Sequence, residues 1–272
     1  MDCHKKLDAL KENLRSMERL VIAFSGGVDS TFLLRVACDT LGEGVLAVTA
    51  RSAAYPEREY QEAVALITQL GASHIAIVSE ELDIDGFSNN PVDRCYYCKK
   101  ELFAKIRSIA DEHGISWIAD GSNADDLGDY RPGMTALREM EVVSPLKDVG
   151  LTKAEIRTLS KELGLPTWDK PSFACLSSRI PYGQEITREK LSMIDQAEQL
   201  LLDEGFRQVR VRHHGDLARI EVSPEERVKF LDENLMDRVY RTFQTIGFQY
   251  TALDLKGYRT GSMNEPLALS TK

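Results

Sequence analysis

Short apolar runs alternate with longer stretches whose apolar residues recur at helical spacing through most of this chain. Leu7, Leu10, Leu14 and Met17 mark an amphipathic first helix. Leu20 to Phe24 is an apolar run too short for a helix, and Phe32, Leu33, Leu34, Val36 and Ala37 carry a second helical stretch from Thr31. The alternation continues with a strand over Gly44 to Thr49, a helix over 56–70 with Pro56 in its first turn, and a strand over Ser73 to Val78. A loop to about Pro91, a helix carrying Leu102, Ile106 and Ile109, and a strand over Trp117 to Ala119 follow. A helix from Thr152 to Leu163 precedes a Pro- and Ser-rich stretch over 166–183. Strands separated by helices predict an α/β fold, a doubly wound parallel sheet. Beyond 184 the pattern changes to a helix (187–204), two strands (207–213 and 217–223), helices to about Gly247 and a strand (248–255). That predicts a domain boundary at 183/184, with a smaller C-terminal α+β domain over 184–272 for substrate binding or self-assembly.

In a sheet of this kind ligands sit beyond the carboxyl ends of the strands. Three segments are therefore expected around one crevice: Ser25–Ser30, Thr49–Ser52, and the turn Asp120-Gly121-Ser122-Asn123-Ala124-Asp125-Asp126. In Ser25-Gly26-Gly27-Val28-Asp29-Ser30 the glycines let the backbone approach a ligand closely, and the helix that follows offers amides to phosphate. Ser25, Ser30 and Thr31 add hydroxyls, and Asp29 supplies a carboxylate for magnesium. The string resembles the PP-loop of ATP pyrophosphatases, which cleave ATP between its α- and β-phosphates. It lacks the Gly-Lys-Ser/Thr ending of a Walker loop. In the acidic turn, Gly121, Asn123, Asp125 and Asp126 are the members expected to position nucleotide and substrate; a solvated loop with a helix cap is the alternative.

At 272 residues the chain can bury a large core. Five unevenly spaced cysteines, no apolar run of membrane length and no signal-peptide centre predict a cytoplasmic protein with no membrane partner. A formal charge of −9 counts against an extended nucleic-acid surface.

Cys95-Tyr96-Tyr97-Cys98 stands where a loop enters a helix, a position that favours thiolates. Cys175 is the third thiol. Three cysteines with one open position suit a [4Fe–4S] cluster; a persulfide relay, or structural zinc with a fourth ligand such as His113, are the alternatives. Cys38 is expected in the core, and Cys3 is given no role. In Arg207-Gln-Val-Arg-Val-Arg-His-His, strand alternation puts Arg210 and Arg212 opposite Val209 and Val211. With Arg179 and Arg259 they could clamp a substrate phosphate. Glu198 and Glu221 are expected on a solvated surface, with a carboxylate site as the alternative.

The phosphate loop, Asp120–Asp126, Arg131-Pro-Gly, Ser144-Pro-Leu, and Lys170-Pro-Ser-Phe-Ala-Cys-Leu-Ser-Ser-Arg-Ile-Pro together resemble the LarE family of ATP-dependent sulfur transferases, from about residue 15 to 262. The resemblance implies adenylation of a carboxylate of pyridinium-3,5-biscarboxylic acid mononucleotide, then replacement of AMP by sulfur, on the route to the nickel-pincer nucleotide of lactate racemase. It implies ATP, Mg2+, a small-molecule nucleotide substrate, sulfide or another sulfur donor, and a homo-oligomer. One branch of that family sacrifices a single cysteine, matching Cys175. The addition of Cys95 and Cys98 makes this chain similar to the three-cysteine branch, which carries a [4Fe–4S] cluster. A tRNA thiolase and a non-catalytic nucleotide or metal sensor are the rival readings.

Overall fold

The computed structural model describes residues 2–84, 86–126, 132–259 and 262. The chain divides into two compact units. The first holds the residues up to Ile84 together with Asp93–Phe173. The second holds the segment ending at Val92 together with the chain from Ala174 onward. Residues 174–183 and the segment before Asp93, placed in the first domain by the sequence pattern, thus belong with the C-terminal module.

The first unit is a four-stranded sheet flanked by helices. Its elements begin with α1 (Cys3–Met17), β1 (Leu20–Ala23), α2 (Val28–Leu41), β2 (Val45–Arg51), α3 (Glu57–Leu70) and β3 (Ser73–Val78). They continue with α4 (Arg94–Glu112), β4 (Trp117–Ala119), α5 (Gly133–Glu139), α6 (Pro145–Asp148) and α7 (Lys153–Glu162). The strand order is β3-β2-β1-β4, and every pairing is parallel. Alternation along β1 explains the two helical layers. Leu20 and Ile22 face a core with α1, α2 and α7, whereas Val21 faces Phe103 and Ile106 of α4. The predicted first helix buries Leu7, Leu10, Leu14 and Met17 in the former layer. The doubly wound parallel sheet is therefore as expected. Chain order reverses between β1 and β4, where a ligand crevice belongs in such sheets.

In the second unit α8 (Arg188–Asp203) precedes the hairpin β5 (Val209–His214) and β6 (Leu217–Val222), then α9 (Glu233–Ile246) and β7 (Tyr250–Leu253). β5 and β6 are antiparallel, and β7 adds to β6 in parallel. Val209, Val211, Ile220 and Val222 meet Leu201 of α8 and Val239 and Phe243 of α9 in a core of their own. Gly215, with φ at 66°, makes the hairpin turn that a side chain would strain.

Candidate functional site

Register sets the ligand edge of the first unit. Ile22 pairs with Ala47 on one side and Ala119 on the other, so Ser25, Thr49 and Asp120 all emerge at the carboxyl edge. Gly26 sits at φ 68°, and a Cβ there would lie 2.9 Å from the Ala63 Cβ, so neither conformation nor space admits another residue. A Cβ on Gly121 would lie 3.1 Å from the Ser30 amide nitrogen. The turn after β4 therefore rests directly on the start of α2.

Side chains brace this backbone. The Ser25 and Ser30 hydroxyls are 3.1 Å apart, and the Ser30 hydroxyl donates to the Gly27 carbonyl. The Tyr55 hydroxyl donates to the Ser25 carbonyl at 2.6 Å, and its ring meets Phe173 edge-on. Burial pushes the Tyr55 phenol upward, so it is a donor at every physiological pH. Lys170 bridges Glu59 and Glu62 of α3 and reaches the Gly26 carbonyl at 3.5 Å. Thr49 is buried, and the Ser52 hydroxyl accepts from the Ala54 amide. Thr31 is wholly buried inside α2, so its hydroxyl faces the interior.

Asp29 meets Lys153, a residue to which the sequence pattern gives no task, at 2.5 Å through Oδ2. Among the described residues its other oxygen is buried with no hydrogen-bond partner of good geometry. Burial raises the carboxyl above its usual range against the pull of Lys153, and Asp126 adds to the rise. A buried carboxylate oxygen lacking a donor beside a second acid fits a divalent cation. The acidic turn is internally bonded: Asn123 accepts from the Asp125 amide, Asp126 from the Asn123 amide, and Asp125 from the Lys153 amide. Asp120 accepts from Ser122 and Ser144. Asp129 and Arg131, members of the same sequence motif, lie outside the described residues.

Cys95 and Cys98 occupy the first two turns of α4, one exposed and one half-buried. Gly133 of α5 seats against the first of these turns, where a Cβ would lie 3.4 Å from the Cys95 carbonyl oxygen. The zinc alternative with His113 fails. His113 caps the far end of α4, roughly 22 Å along the axis from Cys98 at 1.5 Å per residue. Cys38 packs against the core as expected, and burial pushes its thiol up to about 11. Cys3 also packs against the core, its sulfur 3.6 Å from His4 Nδ1.

In the second unit Cys175 is half-buried at the head of the short turn Leu176–Arg179. Arg210 and Arg212 share one face of β5, and both are buried, as is Arg179. Arg210 and Arg212 are 6% and 5% exposed. Arg212 donates to Glu221 at 2.6 Å, to the Ser262 hydroxyl and to the Ser178 carbonyl. Arg210 donates to the Val209 carbonyl and lies over the Tyr258 ring. Arg259 donates to the Gly257 carbonyl and approaches Asp254. Arg179 is ion-paired with Glu198. Glu198 and Glu221, expected on a solvated surface, are 2% and 0% exposed. The pattern missed this because alternation marks which face a residue takes but not whether another segment covers it. Although burial opposes it, Arg179 holds Glu198 below the usual carboxylate range, helped by Arg210 and the Val211 amide.

Among the described residues no helix is long and apolar enough to cross a membrane. The NAD synthase family profile matches residues 3–109, which span the phosphate loop and the first three strands. An uncharacterized protein of Synechocystis sp. is 43% identical over 96% of this chain and 98% of its own. The pyridinium-3,5-bisthiocarboxylic acid mononucleotide synthase of Lactiplantibacillus plantarum is 41% identical over 93% of this chain and 92% of its own. A glutamine-hydrolysing GMP synthase component of Thermoplasma volcanium is 25% identical over 69% of this chain and 65% of its own.

Proposed function

The chain belongs to the family of the pyridinium-3,5-bisthiocarboxylic acid mononucleotide synthase, the LarE family of ATP-using PP-loop enzymes, and on that premise we propose the reaction it catalyses. It adenylates a carboxylate of pyridinium-3,5-biscarboxylic acid mononucleotide and converts the acyl-adenylate to a thiocarboxylate. A carboxylate oxygen attacks the α-phosphorus of ATP, the bond to the β-phosphate breaks, and pyrophosphate leaves. Sulfur then displaces AMP at the acyl carbon.

The observation that carries the first step is the close fit of Gly26 and Gly121 around the start of α2, a helix whose N-cap, Gly27, provides no side-chain cap. The first amides of that helix and Lys153 meet negative charge on the phosphates, the main contribution to catalysis in such transfers. Ser25, Thr49, Ser52, Asn123 and Asp125 surround the same edge. Magnesium, held by Asp29, would neutralise the departing pyrophosphate.

For the second step the candidate thiols are Cys95 and Cys98 of the first unit and Cys175 of the second. Three thiolates suit a [4Fe–4S] cluster, which when bound would supply an iron with one position open to external sulfide. Arg210, Arg212 and Arg259 supply the positive charge for the mononucleotide phosphate. The reading includes a sulfur donor in solution, self-assembly and a cytoplasmic setting.

The test is pyrophosphate release by purified protein with ATP and magnesium. Release that requires the pyridinium mononucleotide is expected. Binding of ATP with no pyrophosphate in the presence of that substrate overturns the proposal.

A further inference from the structure

Arg179 stands among the arginines expected at a substrate phosphate, yet its side chain is wholly buried and each nitrogen is engaged within the fold. Nε and Nη2 donate to the two oxygens of Glu198 at 2.8 and 2.9 Å. Nη1 donates to the carbonyls of Ala174 and Cys175, the latter at 2.9 Å, and to the Ser178 hydroxyl. Glu198, on α8, also accepts the Val211 amide of β5 at 2.9 Å. One planar fork therefore ties the peptide groups on both sides of Cys175 to a helix and a strand.

A buried ion pair is a weak source of net stability, because apolar side chains of the same volume often serve as well. Its geometric effect is larger. The carbonyls of residues 174 and 175 fix the peptide planes flanking the Cys175 Cα, and so fix where Cβ and the sulfur point. Without the guanidinium, the Cys175 carbonyl keeps one main-chain bond, from the Ser178 amide at 3.0 Å. Arg212 holds the other end of the turn through the Ser178 carbonyl.

We propose that Arg179, anchored by Glu198, is a positioning residue that sets the direction of the Cys175 sulfur. The proposal rests on the reading that Cys175 handles sulfur, and its task for Arg179 differs from holding a substrate phosphate. Arginine alone suits the role, since a lysine ammonium cannot grip a carboxylate with two donors and two carbonyls with a third.

The test uses full-length reduced protein and two conservative variants, Glu198→Gln and Arg179→Lys. Iodoacetamide modification of each cysteine is followed by peptide mass spectrometry, with Cys38 as the internal reference. The expected result is about a tenfold change in the Cys175 rate with the Cys38 rate unchanged, as follows from leaving a buried donor or acceptor unsatisfied. Thiocarboxylate turnover falls in the same variants while KM for ATP does not move. An unaltered Cys175 rate in both variants, with only the melting temperature lowered, overturns the proposal. If Glu198→Gln yields no folded protein, Arg179→Lys carries the same readout. If the wild-type chain forms no pyrophosphate, the functional reading fails while the thiol rates still decide the role of Arg179.

Discussion

The two units build their candidate ligand surfaces from opposite materials. The first uses main chain: Gly26 and Gly121 bring backbone to the start of α2, and hydroxyls and lysines brace it. The second uses buried charge, with Arg179, Arg210 and Arg212 set against Glu198 and Glu221. A backbone site is fixed by φ, by space and by the absence of a Cβ. A buried charge network depends on every partner being present, because a lone charge left in the interior costs several kcal/mol. Disturbing the first unit should therefore affect ATP chemistry through shape, and disturbing the second should affect stability and sulfur transfer through uncompensated charge.

The largest effect should separate the two steps. Cys175→Ala is expected to cut sulfur transfer by at least about a thousandfold, in line with the loss of a reacting group. Substrate-dependent pyrophosphate release should persist, because the phosphate loop is untouched. Product analysis with labelled ATP reads both quantities on one sample, and intact sulfur transfer would remove Cys175 from the mechanism. Next in size is Gly26→Ala. The added methyl meets Ala63 at 2.9 Å in a left-handed backbone, a strain of roughly 1–3 kcal/mol. About a tenfold or greater loss of ATP affinity by calorimetry is expected, with the Cys175 alkylation rate unchanged.

The same contrast governs what was legible in the chain. The strand–turn–helix at Leu20 to Ala37 and the acidic turn after Ala119 could be read because their signals are local. Apolar runs and glycines report on nearby backbone, and the switch-point rule then brings the two segments together. The Arg210/Arg212 face was legible as a face but not as an interior. Its cover comes from Ser178, Tyr258 and Ser262, and no pattern within β5 encodes them. Lys153 escaped for a related reason. It reads as an ordinary first-turn residue after the cap Thr152, and only the folded sheet brings it to Asp29. The His113 alternative failed on length alone, because α4 runs unbroken from Arg94 to Glu112.

Lys153 brings charge to the main-chain side, and it gives an intermediate effect. Lys153→Met leaves the half-buried Asp29 without its cation, at a stability cost of about 1 kcal/mol for a partly exposed pair. The folded-state pKa of Asp29 is already raised by burial and rises further without Lys153. The folded chain then binds more protons than the unfolded one between the two pKa values, so stability falls as pH rises through that window. The deficit should be complete at neutral pH and vanish below the unfolded carboxylate range. Adding Asp29→Asn should recover most of it in urea titrations, and additive losses in the double variant would show that the two residues do not interact.

The smallest effect belongs to the second unit and tests whether its sensitivity extends past the arginines. His213 is buried on β5, with its ring centroid 5.4 Å from that of Phe248. Burial lowers its pKa, Lys190 and His214 push the same way, and Asp216 opposes them. The folded chain keeps this imidazole neutral where the unfolded chain takes up a proton. Stability is then full above the unfolded value and declines as pH falls below about 6.5, levelling off under the folded value. Urea midpoints measured above and below that range should fall for the wild type and fall less for His213→Phe, which keeps an aromatic ring against Phe248. His214, also lowered by burial, accounts for the remaining slope, so adding His214→Gln should flatten it further. An undiminished slope in the double variant would overturn the assignment of this acid sensitivity to the two histidines. Glu198 acts in a separate, more acidic window, since its depressed pKa makes its contribution present above the unfolded carboxylate value and lost as pH falls through the folded one.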